Sequence, residues 1–219
     1  TRYHRAMEIL SPPLIDTLRL VLEFIATAAF ALSGVIMAAR KRLDVVGVCV
    51  VGFLAAFGGG TLRDVLLDQR PFFWVRHVEF VWGILALSLA AMVFMRQHHI
   101  QPTERAMQWP DTIGLGLFAA VGTDLASALG MPALVAVMMG VTTGVFGGVL
   151  RDVVCNEIPQ AFRDHRPYAL CAFAGGWVDL ALRQVAAPEW LPVLACVAVT
   201  AGLRALAVWR NWELPAWRI

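Results

Sequence analysis

Long apolar runs, separated by short polar connectors, organise this chain from one end to the other. A helix that crosses a membrane needs about 20 largely apolar residues. Seven runs approach or reach that length: residues 20–39, 45–62, 80–95, 112–129, 131–150, 167–186 and 190–209. The runs are continuous and do not alternate between apolar and polar positions, which favours helices over the strands of a membrane barrel. The pattern therefore predicts an all-α integral membrane protein with seven transmembrane helices.

The composition favours a membrane protein and argues against a nucleic-acid partner. Of the 219 residues, 59% are hydrophobic and 16% are charged, whereas a soluble domain carries about 25% charged residues. The mean hydropathy is +0.67, so the chain has too few polar side chains to cover a water-soluble globule. The net charge is only +2, and the basic residues form no stripe of the kind that binds nucleic acid.

The distribution of basic residues indicates an orientation in the membrane. Cytoplasmic connectors of membrane proteins carry an excess of Lys and Arg. With seven spans the termini lie on opposite sides, and an external N-terminus places eleven of the 18 basic residues in cytoplasmic segments and seven outside. We therefore predict an external N-terminus and a cytoplasmic C-terminus.

One short motif occurs twice. The stretch GGTLRDV at 59–65 returns 88 residues later as GGVLRDV at 147–153. The same offset aligns Phe30 with Phe118, Ala31 with Ala119, Gly34 with Gly122, Pro71 with Pro159 and His77 with His165. These matches predict two three-helix repeats, about 14–95 and 111–186, followed by a seventh helix at about 190–209 within a single membrane domain of residues 1–219. An odd number of spans in each repeat implies that the two have opposite orientations, as in inverted-repeat membrane proteins.

Adjacent glycines fall in the second helix of each repeat, the second and fifth helices overall. They are Gly58, Gly59, Gly60, Gly147 and Gly148. Glycine costs about 1 kcal/mol relative to alanine inside a helix, and glycine-interrupted spans at matching positions of two repeats indicate a functional site. We therefore predict that both helices break or kink there. The alternative is close helix packing, which we favour for isolated glycines such as Gly47 and Gly140.

Each pair of glycines is followed by an Arg-Asp pair, Arg63-Asp64 and Arg151-Asp152. These pairs either anchor the helix ends at the membrane interface or take part in a pathway between the repeats. Four further charges lie inside spans, where a charge is costly unless it has a partner or water. They are Glu23, Asp124, Asp179 and Arg204. Arg204 is predicted to pair with Asp179 or Asp124, and the sequence leaves both partners open.

No pattern of residues predicts a metal site or an enzymatic centre. His98 and His99 are adjacent in a connector, which is more typical of a solvated loop than of a metal site. The four cysteines are scattered, three of them in apolar runs, and we interpret them as small apolar residues: Cys49, Cys155, Cys171 and Cys196. Neither glycine motif carries the Lys-Ser/Thr of a phosphate-binding loop. We therefore expect no cofactor and no enzyme activity.

The chain resembles the trimeric intracellular cation (TRIC) channel family, and in particular its bacterial and archaeal members. The stretches FGGGTLRDVLLDQRPFFWV and GVFGGVLRDVVCNEIP carry the resemblance, which extends from about residue 17 to 208. Animal members have Lys-Glu-Val near such a break, where this chain has Arg63-Asp64-Val65 and Arg151-Asp152-Val153. The residue types differ, so the lipid-binding role of the animal lysines is not carried over.

The resemblance implies a homotrimer in a prokaryotic inner membrane, with membrane lipids around it and a hydrophilic pore in each subunit. Helices two and five, kinked at the glycines, would line that pore with help from helices one and four. Potassium is the implied ion, with sodium as a second candidate. The polar candidates for the pathway are Ser33, Thr61, Thr123, Asp124, Thr142 and Thr143.

Two questions stay open from the sequence. Arg63 and Arg151 would repel a cation unless Asp64 and Asp152 neutralise them, or unless the arginines belong to a gate. Some bacterial relatives are described as possible glycine transporters, so a carrier of a small amino acid is the alternative function. A membrane scaffold without transport is a third hypothesis, and it would need helix packing alone to explain the repeated glycines.

Overall fold

A computed structural model describes residues 12–98, 103–163, 167–185, 187–188 and 190–215, and every regular element in them is a helix. The helices are α1 (Pro12–Arg40), α2 (Val45–Leu66), α3 (Phe73–Arg76), α4 (Val78–Gln97), α5 (Glu104–Ala128), α6 (Ala133–Val154), α7 (Gln160–Arg163), α8 (Ala169–Gln184) and α9 (Trp190–Trp209). His99 and His165, which entered the sequence analysis, lie outside the described residues.

Five of the described helices are long and apolar enough to cross a membrane: Leu20–Arg40 of α1, and α2, α4, α6 and α9. The other two long helices do not meet that standard. α8 has only 16 residues, and α5 contains charged residues including Asp111 and Asp124. Both of these carboxylates are buried and bonded inside the bundle, so the polarity of α5 belongs to the interior of the protein.

Local chemistry explains where α2 and α6 end. In both helices the chain leaves through a residue with a left-handed backbone, Asp68 with φ 50° and Asn156 with φ 53°. Asp and Asn adopt this conformation more readily than other residues with a side chain. The next amide closes each turn by donating to an aspartate carbonyl, Gln69 N to Asp64 O at 2.7 Å and Glu157 N to Asp152 O at 2.9 Å.

The centre of the bundle is the crossing of α2 with α6, flanked by α1 and α5. Glycines allow the two backbones to touch there. A Cβ atom on Gly59 would overlap the carbonyl oxygen of Thr143, and a Cβ atom on Gly147 would overlap the carbonyl oxygen of Ala55. Small residues permit this kind of close approach between helices. The contacts of Gly59 and Gly147 are therefore packing contacts.

Both helices continue without interruption past their glycines, since α2 runs from Val45 to Leu66 and α6 from Ala133 to Val154. The helix break expected at the paired glycines is therefore absent. The physical reason is that the missing side chains make room for the opposite backbone, which an intact α-helix accommodates. A bend of the helix axis at these positions stays a prediction.

An aromatic pair joins α1 to α5 in the interior. Phe30 and Phe118 stack with their ring centroids 5.6 Å apart and their planes at 20°, and both side chains are buried. Phe30 lies against Gly114 and Gly148. The pair fills the space between the two halves of the bundle, beside the crossing of α2 and α6.

Candidate functional site

The first ion cluster joins α1 to the end of α2. Arg63 donates from Nη1 to Glu23 Oε1 at 2.9 Å and from Nε to Asp64 Oδ1 at 2.9 Å. The second oxygen of Asp64 accepts the backbone N–H of Phe73 at 2.9 Å, which fixes the short helix α3 against the cluster. All three charged side chains are buried. Glu23, one of the four charges inside spans, is therefore a partner of the motif arginine.

The second ion cluster joins α5 to the end of α6. Arg151 donates from Nη1 to Asp111 Oδ1 at 2.6 Å and from Nε to Asp152 Oδ1 at 2.8 Å. The other oxygen of Asp152 accepts the backbone N–H of Gln160 at 2.9 Å. Asp111 follows Glu23 by the same 88 residues that separate the two motifs. The sequence analysis missed Asp111, although this offset could have identified it.

Each cluster contains one arginine and two carboxylates, and so has a formal charge of −1 when all groups are ionised. Both motif arginines are held by two carboxylates within 2.9 Å. The arginines therefore leave no unpaired positive charge in the interior. Such pairing offsets the cost of removing the arginine charge from water.

The hydroxyl groups of Tyr168 and Ser33 also bond to the second cluster. The hydroxyl of Tyr168 donates to Asp111 Oδ2 at 2.5 Å, and Ser33 Oγ accepts a hydrogen bond from Arg151 Nη1. At the equivalent positions beside the first cluster the chain has Phe80 and Val121, which carry no hydroxyl.

A cavity of about 170 Å³ adjoins the first cluster. Its lining is Glu23, Arg63, Asp64, Gln69, Pro71, Phe73, Arg76, His77, Val121, Asp124 and Leu125. A neighbouring space of about 10 Å³ is lined by Glu23, Thr61, Gly60 and Phe118 among others, which is about the room that one water molecule requires. The two spaces share Glu23, Arg63 and Phe73 in their linings.

Asp124, at the edge of the larger cavity, is bound by an arginine other than the one expected. Arg183 donates from Nε to Asp179 Oδ2 and lies with Nη1 near Asp124 Oδ1, both at 2.8 Å. Arg183 follows Asp179 by four residues in α8, so the two side chains share a helix face. Arg204 instead lies over the ring of Tyr168, 4.9 Å from its centroid. The predicted pairing of Arg204 with Asp124 or Asp179 is wrong.

The threonine candidates fall into two groups. Thr61 donates to the carbonyl of Phe57 at 2.8 Å, accepts a hydrogen bond from Trp74 at 3.2 Å and lines the small space beside Arg63. Thr143 donates to the carbonyl of Met139 at 2.6 Å, and Thr123 is buried at the crossing of α5 with α6. Thr142 is half-buried in α6. These last three threonines do not line the cavities beside the first cluster.

Within the described ranges, no group of three or more His, Cys, Asp or Glu side chains could hold a metal ion. The interactions that this arrangement of residues offers to a ligand or ion are electrostatic. Two buried clusters with excess carboxylate flank a glycine-lined helix crossing, and a water-sized space lies beside one of them.

Sequence comparison places the chain among bacterial membrane proteins. A family model described as "Glycine transporter" matches residues 20–96 and 108–184, segments whose starts and ends are both 88 residues apart. A UPF0126 membrane protein of Vibrio cholerae is 32% identical over 99% of this chain and 90% of its own length. The UPF0126 inner membrane protein YadS of Escherichia coli is 35% identical over 90% and 95%.

Solved structures with the same fold are cation channels. The TRIC trimeric intracellular cation channel orthologue from Rhodobacter sphaeroides has a TM-score of 0.81 at 34% identity, covering 89% of this chain and 99% of that chain. A structure described as the basis for conductance through TRIC cation channels has a TM-score of 0.78 at 33% identity, covering 91% and 97%. The chain therefore belongs to the TRIC channel family, together with the bacterial UPF0126 membrane proteins.

Proposed function

We propose that this protein is a potassium-permeable cation channel of a bacterial inner membrane, with a conduction path inside each subunit of a homotrimer. The observation that carries the proposal is the pair of buried ion clusters around Arg63 and Arg151, each with one excess carboxylate. Ionisable groups at membrane depth usually mark ion pathways. The similarity to TRIC cation channels over about nine-tenths of the chain supports the same function.

The path that we propose runs between the two repeats. It enters at the cavity beside Arg63, passes the stacked rings of Phe118 and Phe30, and leaves beside Arg151. The proposed topology has seven spans, including α5 and α8, with the repeats inverted, the N-terminus outside and the C-terminus cytoplasmic. The first cluster then faces the outer side and the second cluster faces the cytoplasm.

The excess carboxylate of each cluster provides selectivity for cations. Rings and clusters of acidic side chains favour cations over anions in channels. Arg63 and Arg151 act in this proposal as internal counter-charges that hold the carboxylates in place when no ion is present. An entering cation competes with the arginine for the same oxygen atoms, so a bound ion weakens the link between the helices.

In this proposal the conformation is that of a closed channel. The space lined by Phe118 measures about 10 Å³, which is too small for a hydrated ion, and apolar constrictions exclude ions by losing water. We propose that opening moves α2 against α6 at the crossing formed by Gly59 and Gly147, with Gly58, Gly60 and Gly148 providing further freedom. The kink predicted from sequence belongs to that motion.

Purified protein in liposomes tests this function directly. We expect potassium flux and unitary potassium currents in planar bilayers. Protein inactivated by heat before reconstitution is the control for leaks. Phe118→Ala should raise the flux by removing one ring of the constriction. If the wild type conducts no potassium in either assay, the channel proposal fails.

A glycine carrier is the second candidate, and two observations favour it. The matching family model is described as a glycine transporter. In the cavity of about 170 Å³ beside the first cluster, Arg63 would bind the carboxylate of a small zwitterion and Glu23 would bind its ammonium group. The volume of this cavity suits a molecule of that size. A carrier alternates between sides, so it would show saturable glycine counterflow and no unitary current. Counterflow without potassium events would replace the channel proposal with this one.

A further inference from the structure

A second cavity, larger than the one beside Arg63, lies between the start of α5 and the end of α9. Its volume is about 640 Å³. It is lined by Arg105, Gln108, Trp109, Thr112, Arg204, Ala205, Val208, Trp209 and Asn211. Two of these residues are arginines and none is acidic, so the groove carries positive charge.

Arg204 in this groove is buried and has no anionic partner among the residues that the structure describes. Its side chain is 2% exposed, and its Nη1 atom has no hydrogen-bond partner in the described parts of the chain. The other interior arginines differ, because Arg63, Arg151 and Arg183 each have a carboxylate within 2.9 Å. A buried guanidinium without an anion is costly. The stacking of Arg204 on Tyr168 offsets only part of that cost.

The surroundings of Arg204 indicate where its partner comes from. Arg105 lies in the first turn of α5 and is exposed, and the N-terminus of a helix favours an anion. Trp109 and Trp209 line the groove and are 67% and 77% exposed. Exposed tryptophans of membrane proteins concentrate at the level of the lipid headgroups. The groove therefore opens at the depth where phospholipid phosphates lie.

We propose that this groove binds the phosphate of an anionic phospholipid such as phosphatidylglycerol. Arg204 at the floor and Arg105 at the rim contact the phosphate oxygens, and Gln108 donates to the remaining headgroup. Trp109 and Trp209 hold the headgroup between them. Guanidinium groups suit this ligand because they offer paired donors to phosphate oxygens. The proposal does not depend on conduction, because the groove shares no lining residue with the cavities beside the first cluster.

Lipid binding to the purified protein in a neutral detergent tests the proposal. Phosphatidylglycerol is titrated while bound lipid is counted by native mass spectrometry and the unfolding temperature is recorded. We expect binding and a rise in unfolding temperature for the wild type, and about a tenfold or greater loss of affinity for Arg204→Gln, since charge-assisted hydrogen bonds are lost. Arg96→Gln is the matched control, because Arg96 is exposed in the last turn of α4, and it should bind as the wild type does.

A second variant covers the case in which Arg204→Gln fails to fold. Ala205→Trp keeps Arg204 but fills the groove, and it should also lose the lipid. Inorganic phosphate at the same concentration should not stabilise the protein. Equal stabilisation by inorganic phosphate would overturn the lipid assignment in favour of a soluble anion. Undiminished lipid binding by Arg204→Gln or Ala205→Trp would also overturn the proposal, as would a wild type that binds no phosphatidylglycerol.

Discussion

The two ion clusters share a plan and differ in their enclosure. Each has an arginine that follows paired glycines, the next aspartate, and a carboxylate from the first helix of its half, Glu23 or Asp111. The cluster at Arg151 gains hydrogen bonds with Ser33 and Tyr168. Among the described residues no hydroxyl group bonds to a charged group of the cluster at Arg63, which borders a cavity of about 170 Å³.

The same motif therefore lies in two different environments in one molecule, one enclosed and one beside a cavity. The repeated residues set the ion pairs, which are nearly the same in both halves. Residues outside the motif decide whether the pair is sealed. At positions 80 and 121 the chain has Phe and Val, and at the equivalent positions 168 and 33 it has Tyr and Ser. Two hydroxyl groups therefore separate the tightly enclosed cluster from the one beside a cavity.

Removing the motif arginines should have the largest effect on stability and should separate the two clusters most clearly. Arg151→Gln leaves Asp111 and Asp152 buried together without a cation, and loss of one partner of a buried pair costs about 3–5 kcal/mol of unfolding free energy. Arg63→Gln should cost less, because the adjoining cavity admits water to Glu23 and Asp64. Denaturant unfolding in detergent measures both, with the exposed Arg40→Gln as control. Equal losses of unfolding free energy would mean that water in the cavity does not reduce the cost of leaving Glu23 and Asp64 without their arginine.

Removing one hydroxyl should make the second cluster resemble the first. Tyr168→Phe deletes the donor to Asp111, and a hydrogen bond to a charged group contributes about 1.5–3 kcal/mol. We expect this loss of stability together with an increased potassium flux in liposomes, since the sealed end is loosened. The reciprocal change Phe80→Tyr places a hydroxyl beside the first cluster and should lower the flux. If Tyr168→Phe is less stable but its potassium flux is unchanged, the second cluster does not control gating.

Substitutions at Gly59 and Gly147 should lower stability by similar amounts, unlike substitutions of the two motif arginines. An added methyl group at Gly59 or Gly147 would meet a backbone carbonyl, and overpacking of this kind costs about 1–3 kcal/mol. We expect similar losses for Gly59→Ala and Gly147→Ala. Gly60→Ala is the control, because its nearest neighbour would be Arg63 Nη2 at 3.9 Å, and it should be neutral or slightly stabilising. The same unfolding assay decides, and a costly Gly60→Ala would contradict the packing account.

The orientation of the two clusters in the membrane can be tested with reporter fusions, which leave the residues of both clusters unchanged. A reporter protein fused to the C-terminus should be active only in its cytoplasmic form, which places the Arg151 cluster toward the cytoplasm. A fusion at the N-terminus should report the outer side. A periplasmic C-terminus would exchange the sides of the two clusters and make the cavity beside Arg63 the cytoplasmic entrance.

The sequence by itself determined the helical membrane architecture and the family. Apolar runs specify helices because backbone groups in lipid must be bonded within the segment, and the observed long helices α1, α2, α4, α5, α6, α8 and α9 fall on the seven runs. The offset of 88 residues identified both Arg-Asp pairs. The apolar runs are local signals and the repeat is found by comparing two stretches of the sequence, so neither signal requires knowledge of how the helices pack.

Tertiary structure alone decided the partners of the charges and the use of the glycines. Arg63 reaches Glu23 across 40 residues of chain, and Arg151 reaches Ser33 across 118. The sequence suggested Arg204 as the partner of either Asp124 or Asp179, whereas helix packing places Arg183 against both. Two of the glycines that suggested a break, Gly59 and Gly147, are points where the backbones of α2 and α6 touch. Such choices depend on which helix faces meet, and that is set by packing the whole bundle.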